Sequence, residues 1–424
     1  MTGRWRGHPV LGRSAWTLAD QAASSSSNFV LALSMLAVGD RREFAAFSVV
    51  ITGYLLVTQL TRSAFLTPVL ILYSEGETRA HRRSGPAVAA GVVTASLGGV
   101  VLAAAGAGFR DGRTFLLVLA VALPLLQYQD GVRHVAFAES HPKVAAQSDL
   151  LWLGAQVIAT AIAWATGHAT PTTFLVAWAA TGSISGLVYG LRIGLVPRLS
   201  GCRRWLGHNR RLCARLSAEF VMNFGSYYAL SYGLVLVAGA EQLGRWRAAQ
   251  ALIGPVSVLL LGGTTLGVPE SVRVGDRDSS LRRFAAMLSV GLCAVALAGG
   301  GAAYALVSTF GRDWFPDSFD TARPVLPVLT LFAAAVGAST GAIAALRARD
   351  QAGWIVRCRA VTGALGLVVG LVLAARWGAN GALAGLTASE SGFAVAAWLR
   401  LSRTLNVSAD RPELAQPEPE HAKP

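Results

Sequence analysis

A group of polar residues on one predicted helix has the spacing of a single helical face. Gln127, Asp130, Arg133 and His134 stand at positions i, i+3, i+6 and i+7 inside a long apolar segment, and such positions share a face. Asp130 and Arg133 are close enough on that face to form an ion pair. Charges in apolar surroundings are costly, so this face is either a structural ion pair or a functional site.

Two further charges suggest binding chemistry. Arg62 lies in the inner half of another apolar segment, where its guanidinium either snorkels to an interface or offers a two-pronged donor to phosphate. Glu390 falls near the middle of the last apolar segment, where it would pair with an arginine, line a cavity or carry a proton. We expect a cavity that is electropositive around Arg62 and Arg133, with Glu390 opposite them.

The segments that hold these residues have the length of membrane-spanning helices. Of 424 residues, 53% are hydrophobic and only 14% are charged, whereas soluble domains carry about 25% charged residues. A helix needs about 20 apolar residues to cross a bilayer. The pattern predicts an all-α integral membrane protein with about twelve transmembrane helices. The predicted spans are 14–38, 44–72, 87–109, 114–137, 145–166, 172–196, 216–239, 246–270, 284–308, 323–346, 360–376 and 379–401.

The basic residues predict how the chain is oriented. With the N-terminus inside, the inner segments hold 25 of the 37 Lys and Arg residues and the outer segments hold 9. This asymmetry predicts that both termini are cytoplasmic in a multi-pass inner-membrane protein. It also explains the net charge of +14 without a nucleic-acid partner. The most basic loop, 197–215, either sets the topology or binds anionic lipid headgroups.

No catalytic or metal centre is predicted. The four cysteines form no CxxC motif and have no histidine at ligand spacing, so neither a metal nor a cofactor is expected. The longest predicted outer loop, roughly 309–322, is too short for a glycan-polymerising catalytic domain. No P-loop is present. We therefore expect a protein that is not an enzyme.

The two halves of the sequence resemble each other. The first and seventh spans carry polar residues at matching spacings, each set on one helical face, and these are candidate cavity-lining residues. We predict two six-helix halves around a central cavity, in the same orientation and related by an axis along the membrane normal. The matched sets are Asp20, Ser24, Ser27 and Asn28 in the first span, and Glu219, Asn223, Ser226 and Tyr227 in the seventh.

The start of the eighth span carries a recognisable motif. The stretch Gly244-Arg-Trp-Arg-Ala-Ala-Gln-Ala-Leu-Ile-Gly-Pro255 resembles the glycine–aromatic–alanine–glutamine–proline segment of the multidrug/oligosaccharidyl-lipid/polysaccharide (MATE-like) flippase superfamily, especially its polysaccharide-export branch. The first-half counterpart, Glu43–Ser48, keeps the aromatic and small residues but lacks the proline. The polar segment from Arg133 to Asp149 is also similar to the family pattern. The resemblance implies two six-helix lobes around a cavity that opens alternately to each side, with a lipid-linked glycan as cargo.

Three alternatives stay open at the level of sequence. A major-facilitator transporter would also have twelve helices and a basic middle loop, although the segment 74–83 lacks that family's glycine–acid–arginine series. A multidrug transporter of small molecules would need an acid-dominated cavity. A non-transporting scaffold of a glycan-assembly complex would need no cavity charges.

The sequence predicts four parts. They are an N-terminal lobe (1–196), a basic cytoplasmic linker (197–215), a C-terminal lobe (216–401) and a disordered tail (402–424), which is rich in proline and glutamate. The expected partners are the lipid bilayer, a lipid-linked glycan and proteins of glycan assembly. The expected oligomeric state is a monomer.

Overall fold

The structure, a computed structural model, describes residues 9–73, 80–274, 278–314 and 322–409. The secondary structure of these residues is helical, and no β-strand occurs among them. Helices suit a bilayer because each backbone N–H and C=O group must find a partner inside the hydrocarbon, and an α-helix satisfies them within one segment. The predicted all-α membrane fold is confirmed.

Six helices form the first half of the chain within the residues that the structure describes. Helix α2 starts with a capping box, in which the Glu43 N–H donates to Asp40 Oδ1 at 2.8 Å and the Asp40 N–H donates to Glu43 Oε2 at 3.0 Å. This exchange satisfies two of the N–H groups that the start of a helix leaves open. The helices are α1 (Pro9–Val38), α2 (Arg41–Tyr73, with a π-helical turn at Arg62–Leu66), α3 (Ala80–Ala105), α4 (Arg113–Ala138), α5 (Pro142–Ala165) and α6 (Pro171–Ile193).

In the described part of the second half, six further helices follow. Helix α8 is broken at Ile253 because Pro255 has no N–H to donate to the carbonyl of Ala251. Gly378, with φ 55° and ψ −133°, separates the last two helices. The helices are α7 (Cys202–Ala238), α8 (Ala240–Leu252 and Gly254–Val274), α9 (Asp278–Trp314), α10 (Leu326–Ala348), α11 (352–377) and α12 (379–409).

The repeat is visible in the turn between the fourth and fifth helix of each half. Among the described residues, Ser140 and Asp350 are the non-glycine residues with positive φ, 58° and 55°, and each lies in one of these two turns. The next residue then donates its N–H to a carbonyl of the preceding helix, at 2.8 Å for His141 and 2.9 Å for Gln351. The same strained turn at the same place supports the six-plus-six architecture.

The register of the repeat differs from the prediction by one residue. Helices α1 and α7 end at Val38 and Ala238, each followed by a glycine. Aligned on these ends, Asp20 matches Phe220 rather than Glu219. Both Asp20 and Phe220 are buried, whereas Glu219 is half-buried. A shift of one residue turns a side chain by about 100° around a helix, so the two predicted polar stripes are not on equivalent faces.

Each half has its own buried cores. In the first half, one apolar cluster surrounds Trp178 and a second surrounds Val132. In the second half, the clusters surround Trp246 and Phe393. The halves meet chiefly where α2 packs against the first part of α8. By length and hydropathy alone, eight helical stretches among the described residues, or nine with the bent helix α7, can cross a membrane; one of them holds both α11 and α12.

Several element boundaries differ from the predicted ones. Helix α7 starts at Cys202 rather than at 216, so most of the predicted linker is helical. Helix α12 continues to Ala409 instead of ending at 401, and the tail from 410 to 424 lies outside the described residues. Helix α9 reaches Trp314, so part of the predicted loop 309–322 is helical. The four-part division of the chain stays a prediction.

Candidate functional site

The polar face of α4 lies inside the first half, not on its surface. Gln127, Asp130 and Arg133 are all buried. The His134 ring is close to the Asp130 carbonyl, with Nδ1 2.8 Å from the oxygen. Because a carbonyl oxygen only accepts, Nδ1 must carry the proton in this contact.

Arg62 forms a two-pronged ion pair with Asp130. Its Nε donates to Oδ2 at 3.0 Å and its Nη2 donates to Oδ1 at 2.8 Å. Arg62 is the first residue of the π-helical turn in α2, an irregularity that is frequent at functional sites. The Arg62 side chain is 33% exposed, whereas that of Asp130 is 4% exposed. Arg62 is therefore paired with a carboxylate and still accessible.

Arg133 is surrounded by three carboxylates from three helices. Its Nε and Nη2 donate to the two oxygens of Asp20 at 3.1 and 2.6 Å. The Nε also lies 3.2 Å from Asp149 Oδ2, and the Nη1 lies 3.6 Å from Asp130 Oδ1. The predicted pairing of Asp130 with Arg133 is thus a secondary contact, because Arg62 and Asp20 approach more closely.

We call these five residues the N-half cluster: Arg62, Asp130, Arg133, Asp20 and Asp149. It draws on α1, α2, α4 and α5 and contains three carboxylates against two guanidiniums. Burial of an unbalanced charge is expensive. Because the cluster has one carboxylate in excess, its stability depends on whether a proton or a cation is bound there and on the charge of His134.

Neutral polar groups extend the N-half cluster towards α6. Gln129 Nε2 donates to Asp149 Oδ1 at 2.7 Å. The Ser148 hydroxyl lies 2.9 Å from the hydroxyl of Ser185 on α6. Asp149 and Gln129 are not among the candidates predicted from the sequence. Asp149 is the last residue of the family-like segment that starts at Arg133, and Gln129 lies four residues before that segment.

Glu390 belongs to a separate site in the second half. It forms an ion pair with Arg359 of α11, and the Ser339 hydroxyl of α10 donates to its Oε1 at 2.9 Å. The Arg359 guanidinium also stacks on the Phe393 ring, 3.9 Å from its centroid. We call Arg359 and Glu390 the C-half pair. Glu390 thus has an arginine partner, one of the roles expected for it, and among the described residues this partner is Arg359 rather than Arg62 or Arg133.

A third group of contacts joins the two halves. Arg247 of α8 donates through Nη2 to the Thr52 hydroxyl of α2 at 2.9 Å, and through Nη1 to Gln250 Oε1 at 2.8 Å. Its guanidinium lies 5.8 Å from the centroid of the Tyr227 ring. Tyr227 is therefore near the boundary between the halves, and its place in a cavity stays a prediction.

The other predicted candidates have simpler surroundings. Gln127 is buried, and neither end of its amide has a hydrogen-bond partner among the described residues. Asn28 is exposed and donates to the Ser24 carbonyl at 3.2 Å. Glu219 is half-buried. The side chain of Asn223 lies outside the described residues.

Metal-binding geometry is not found in the described part of the chain. There, no group of three or more His, Cys, Asp and Glu side chains is arranged to hold an ion, and all four cysteines are free thiols. The site consists of guanidinium and carboxylate groups paired inside a membrane protein. Such groups can bind and release charged molecules.

Comparison with known proteins supports the fold. No protein-family model matches the sequence, and no curated protein matches it. Among solved structures, an inward-facing multidrug resistance MATE family transporter of the MOP superfamily superimposes with a TM-score of 0.64 at 13% identity, covering 89% of this chain and 94% of that one. A multidrug resistance MATE family transporter of the MOP superfamily in an outward-facing conformation gives a TM-score of 0.57 at 12% identity, covering 96% of this chain and 98% of that one.

A third solved structure is a MOP superfamily transporter from Pyrococcus furiosus, described as having a binding pocket of reverse polarity that suggests a different function. It superimposes with a TM-score of 0.59 at 14% identity and covers 96% of this chain and 98% of its own. At these identities the likeness concerns the fold. The fold is therefore MATE-like, as the motif around Gly244–Pro255 implied.

Proposed function

We propose that the protein is a membrane transporter that works by alternating access and moves a lipid-linked glycan across the bilayer. The observation that carries the proposal is the accessible guanidinium of Arg62. The π-helical turn that starts at Arg62 contacts α7 of the other half, so Arg62 is at the boundary between the lobes. A guanidinium fork recognises phosphate in two-pronged geometry, and phosphate is the charged part of a lipid-linked glycan.

Asp130 keeps two neighbouring N–H groups if Arg62 exchanges it for a phosphate. Arg133 Nη1 and His134 Nδ1 each lie 3.6 Å from Asp130 Oδ1. Because Arg133 already faces Asp20 and Asp149, the released carboxylate would be compensated only in part. An unpaired buried charge would cost about 3–5 kcal/mol, and these neighbours reduce that cost.

Tyr227 on α7 is the ring that the proposal assigns to the sugar part of the cargo. It is half-buried, whereas Phe220, Tyr228 and Trp246 are buried. Its ring centroid lies 5.6 Å from that of Tyr228 and 5.3 Å from that of Trp246 of α8, so buried rings hold it in place. A ring that combines an apolar face with a polar edge suits sugars, which have the same combination.

A second candidate function is export of a cationic small molecule. It is favoured by the carboxylate excess of the N-half cluster, where three acids face two guanidiniums. A cation entering this region would restore the charge balance. In this case Asp149, rather than Arg62, would be the residue on which transport depends.

Reconstitution in liposomes distinguishes the two candidates. The glycan probe is a polyprenyl pyrophosphate that carries a fluorescent oligosaccharide, and its movement is followed with a membrane-impermeant quencher. The double variant Arg62→Gln with Asp130→Asn removes both charges but keeps hydrogen-bonding groups, so the buried pair stays neutral. We expect probe movement to slow at least about tenfold, because one charge-assisted two-pronged contact is lost. Arg62→Lys should keep part of the activity, since lysine keeps the charge but not the fork.

The controls separate transport from folding. Arg82→Gln changes an exposed arginine on α3 and should leave the rate unchanged. Wild-type rates in the double variant would contradict the glycan proposal. Ethidium export that Asp149→Asn abolishes, without movement of the glycan probe, would establish the second candidate. A wild-type protein that moves neither probe would favour the scaffold alternative.

We define the arginine-rich end as the end of the helix bundle where α4 joins α5, α6 joins α7 and α10 joins α11. We propose that the protein is a monomer in the inner membrane and that its arginine-rich end faces the cytoplasm. Reporter fusions at Ser200 and after Ala409 should be cytoplasmic, and a fusion at Gly112 should be external. An external reporter after Ala409 would overturn this orientation. Co-purification with glycan-assembly proteins would test the proposed protein partners.

A further inference from the structure

A continuous basic surface covers the connection between the two halves. Between Asp149 and Glu219 the sequence contains no acidic residue. All seven arginines of this interval are exposed, so no carboxylate of the same segment neutralises them. We call these residues the arginine surface: Arg192, Arg198, Arg203, Arg204, Arg210, Arg211 and Arg215.

The first turns of α7 hold this surface outwards. On the opposite side of the helix, Trp205 and Cys213 are buried among first-half residues. Trp205 Nε1 donates to the Tyr73 hydroxyl at 3.3 Å, and Cys202 Sγ lies 3.1 Å from the Pro86 carbonyl. The helix is anchored by its apolar side, so its arginines cannot turn towards the protein.

Exposed apolar side chains alternate with the arginines. Leu191 is 81% exposed, Leu199 is 71% exposed and Val196 is 57% exposed. Arg192 also stacks over the Tyr189 ring at 5.6 Å from its centroid. A mixture of arginine with exposed leucine and valine and a half-buried tyrosine is typical of a surface at the boundary between headgroups and acyl chains. A loop surrounded only by water would not gain from these leucines.

The bend in α7 is consistent with a position of its first turns at the boundary between headgroups and acyl chains. The part Cys202–Met222 is bent by 51° from the part Phe224–Ala238. The second part packs with α11 and α12 inside the bundle. The first part is therefore inclined to the part that packs inside the bundle, and an inclined amphipathic helix can present its polar side to the headgroups of a leaflet.

We infer that the arginine surface is a binding site for the headgroups of anionic phospholipids in the leaflet at the arginine-rich end. The charge of the surface is complementary to phosphatidylglycerol and cardiolipin, and its leucines reach the acyl region beside those headgroups. Because the surface lies on the chain that joins the halves, bound lipid holds this joint against the membrane. The inference does not depend on the proposed cargo.

Native mass spectrometry of the full-length protein tests the inference, with phosphatidylglycerol and phosphatidylcholine offered at equal concentration. The variant Arg203→Gln, Arg204→Gln, Arg210→Gln and Arg211→Gln removes four charges from the arginine surface. Each basic residue near an anionic membrane contributes roughly fivefold to binding. The preference for phosphatidylglycerol should therefore fall at least about tenfold, and high salt should weaken the wild-type preference.

The matched control removes four exposed arginines elsewhere at the same end: Arg82→Gln, Arg282→Gln, Arg283→Gln and Arg347→Gln. This variant should keep the wild-type preference within about twofold. A version of the first variant with four lysines should also keep it, which shows that charge rather than side-chain shape is needed. An unchanged preference in the glutamine variant would overturn the inference. Equal losses in the variant and the control would do the same, because the effect would then be general electrostatics. Unchanged thermal unfolding confirms that each variant is folded.

Discussion

The two halves use the same backbone to hold different charges. Asp149 and Arg359 are at the same distance from the starts of their helices, Pro142 and Ala352, which follow equivalent turns. The first half thus has an acid where the second has a base. Asp149 joins a buried network of four helices, whereas Arg359 pairs with the neighbouring helix and remains about one-quarter exposed.

This difference shows where the molecule is sensitive to charge. In the C-half pair, one acid meets one base, and the aromatic ring of Phe393 covers the guanidinium. In the N-half cluster, Arg133 has to compensate Asp20 and Asp149 together while Arg62 holds Asp130. We expect the first half to respond strongly to changes of charge, and the second half to behave as an ordinary structural ion pair.

The largest effect is expected for Arg133→Ala. It leaves Asp20 and Asp149 buried without their guanidinium. Breaking a buried pair by removing one partner costs about 3–5 kcal/mol, so the variant should express poorly or unfold at a much lower temperature in detergent. Arg359→Ala is the matched change in the second half and should cost clearly less, because it leaves one buried carboxylate rather than two without a guanidinium, and the Ser339 hydroxyl still donates to Glu390.

The neutral variant sharpens this result. Arg133→Met together with Asp20→Asn and Asp149→Asn removes every unpaired charge that Arg133→Ala creates. Most of the lost thermal stability should return, since a buried ion pair and a neutral group of similar volume differ little in stability. Equal instability of the single and triple variants would show that packing around Arg133, rather than charge balance, is decisive.

A smaller effect is expected for Glu390→Gln. The amide oxygen can still accept from Arg359, and the amide NH2 can donate to the Ser339 hydroxyl, which has the Val336 carbonyl as an acceptor for its own proton. The main loss is therefore the charged component of these contacts. The expected loss is about 1–2 kcal/mol, measured by thermal unfolding, with transport almost unchanged. If transport instead loses its dependence on pH while stability is unchanged, Glu390 carries a proton. The second half would then be the half in which a change of charge controls transport.

The intramembrane charges could be found from sequence, but their partners could not. Asp130 and Arg133 stand out because charge in an apolar segment is rare, and helical spacing suggested that they pair. The stronger partners, Arg62 and Asp20, come from other helices, and their approach is set by packing that periodicity does not contain. The eleventh span is predicted to start at 360, which leaves Arg359 in a loop. In the structure Trp354 and Ile355 are already helical, so Arg359 lies within the helix.

The smallest effect is expected for Gln127→Met. Neither end of this buried amide is hydrogen-bonded among the described residues, so replacing it by an apolar group of similar size should be neutral or slightly stabilising. Thermal unfolding should change by no more than a few degrees, and upwards if at all. A clear loss of stability or transport would instead indicate that Gln127 binds water or cargo beside Asp130.

The most direct measurement is transport with the two halves locked together by a disulfide. A Cβ atom built on Gly244 of α8 would lie 3.3 Å from the Ala45 Cβ of α2, close to the separation found in disulfides. Ala45→Cys with Gly244→Cys, in a chain whose four native cysteines are replaced by serine, should cross-link on oxidation. Alternating access requires this contact to open, so oxidation should stop movement of the glycan probe and reduction should restore it, while each single-cysteine chain is unaffected. Undiminished movement of the probe through fully cross-linked protein would contradict alternating access between the two halves.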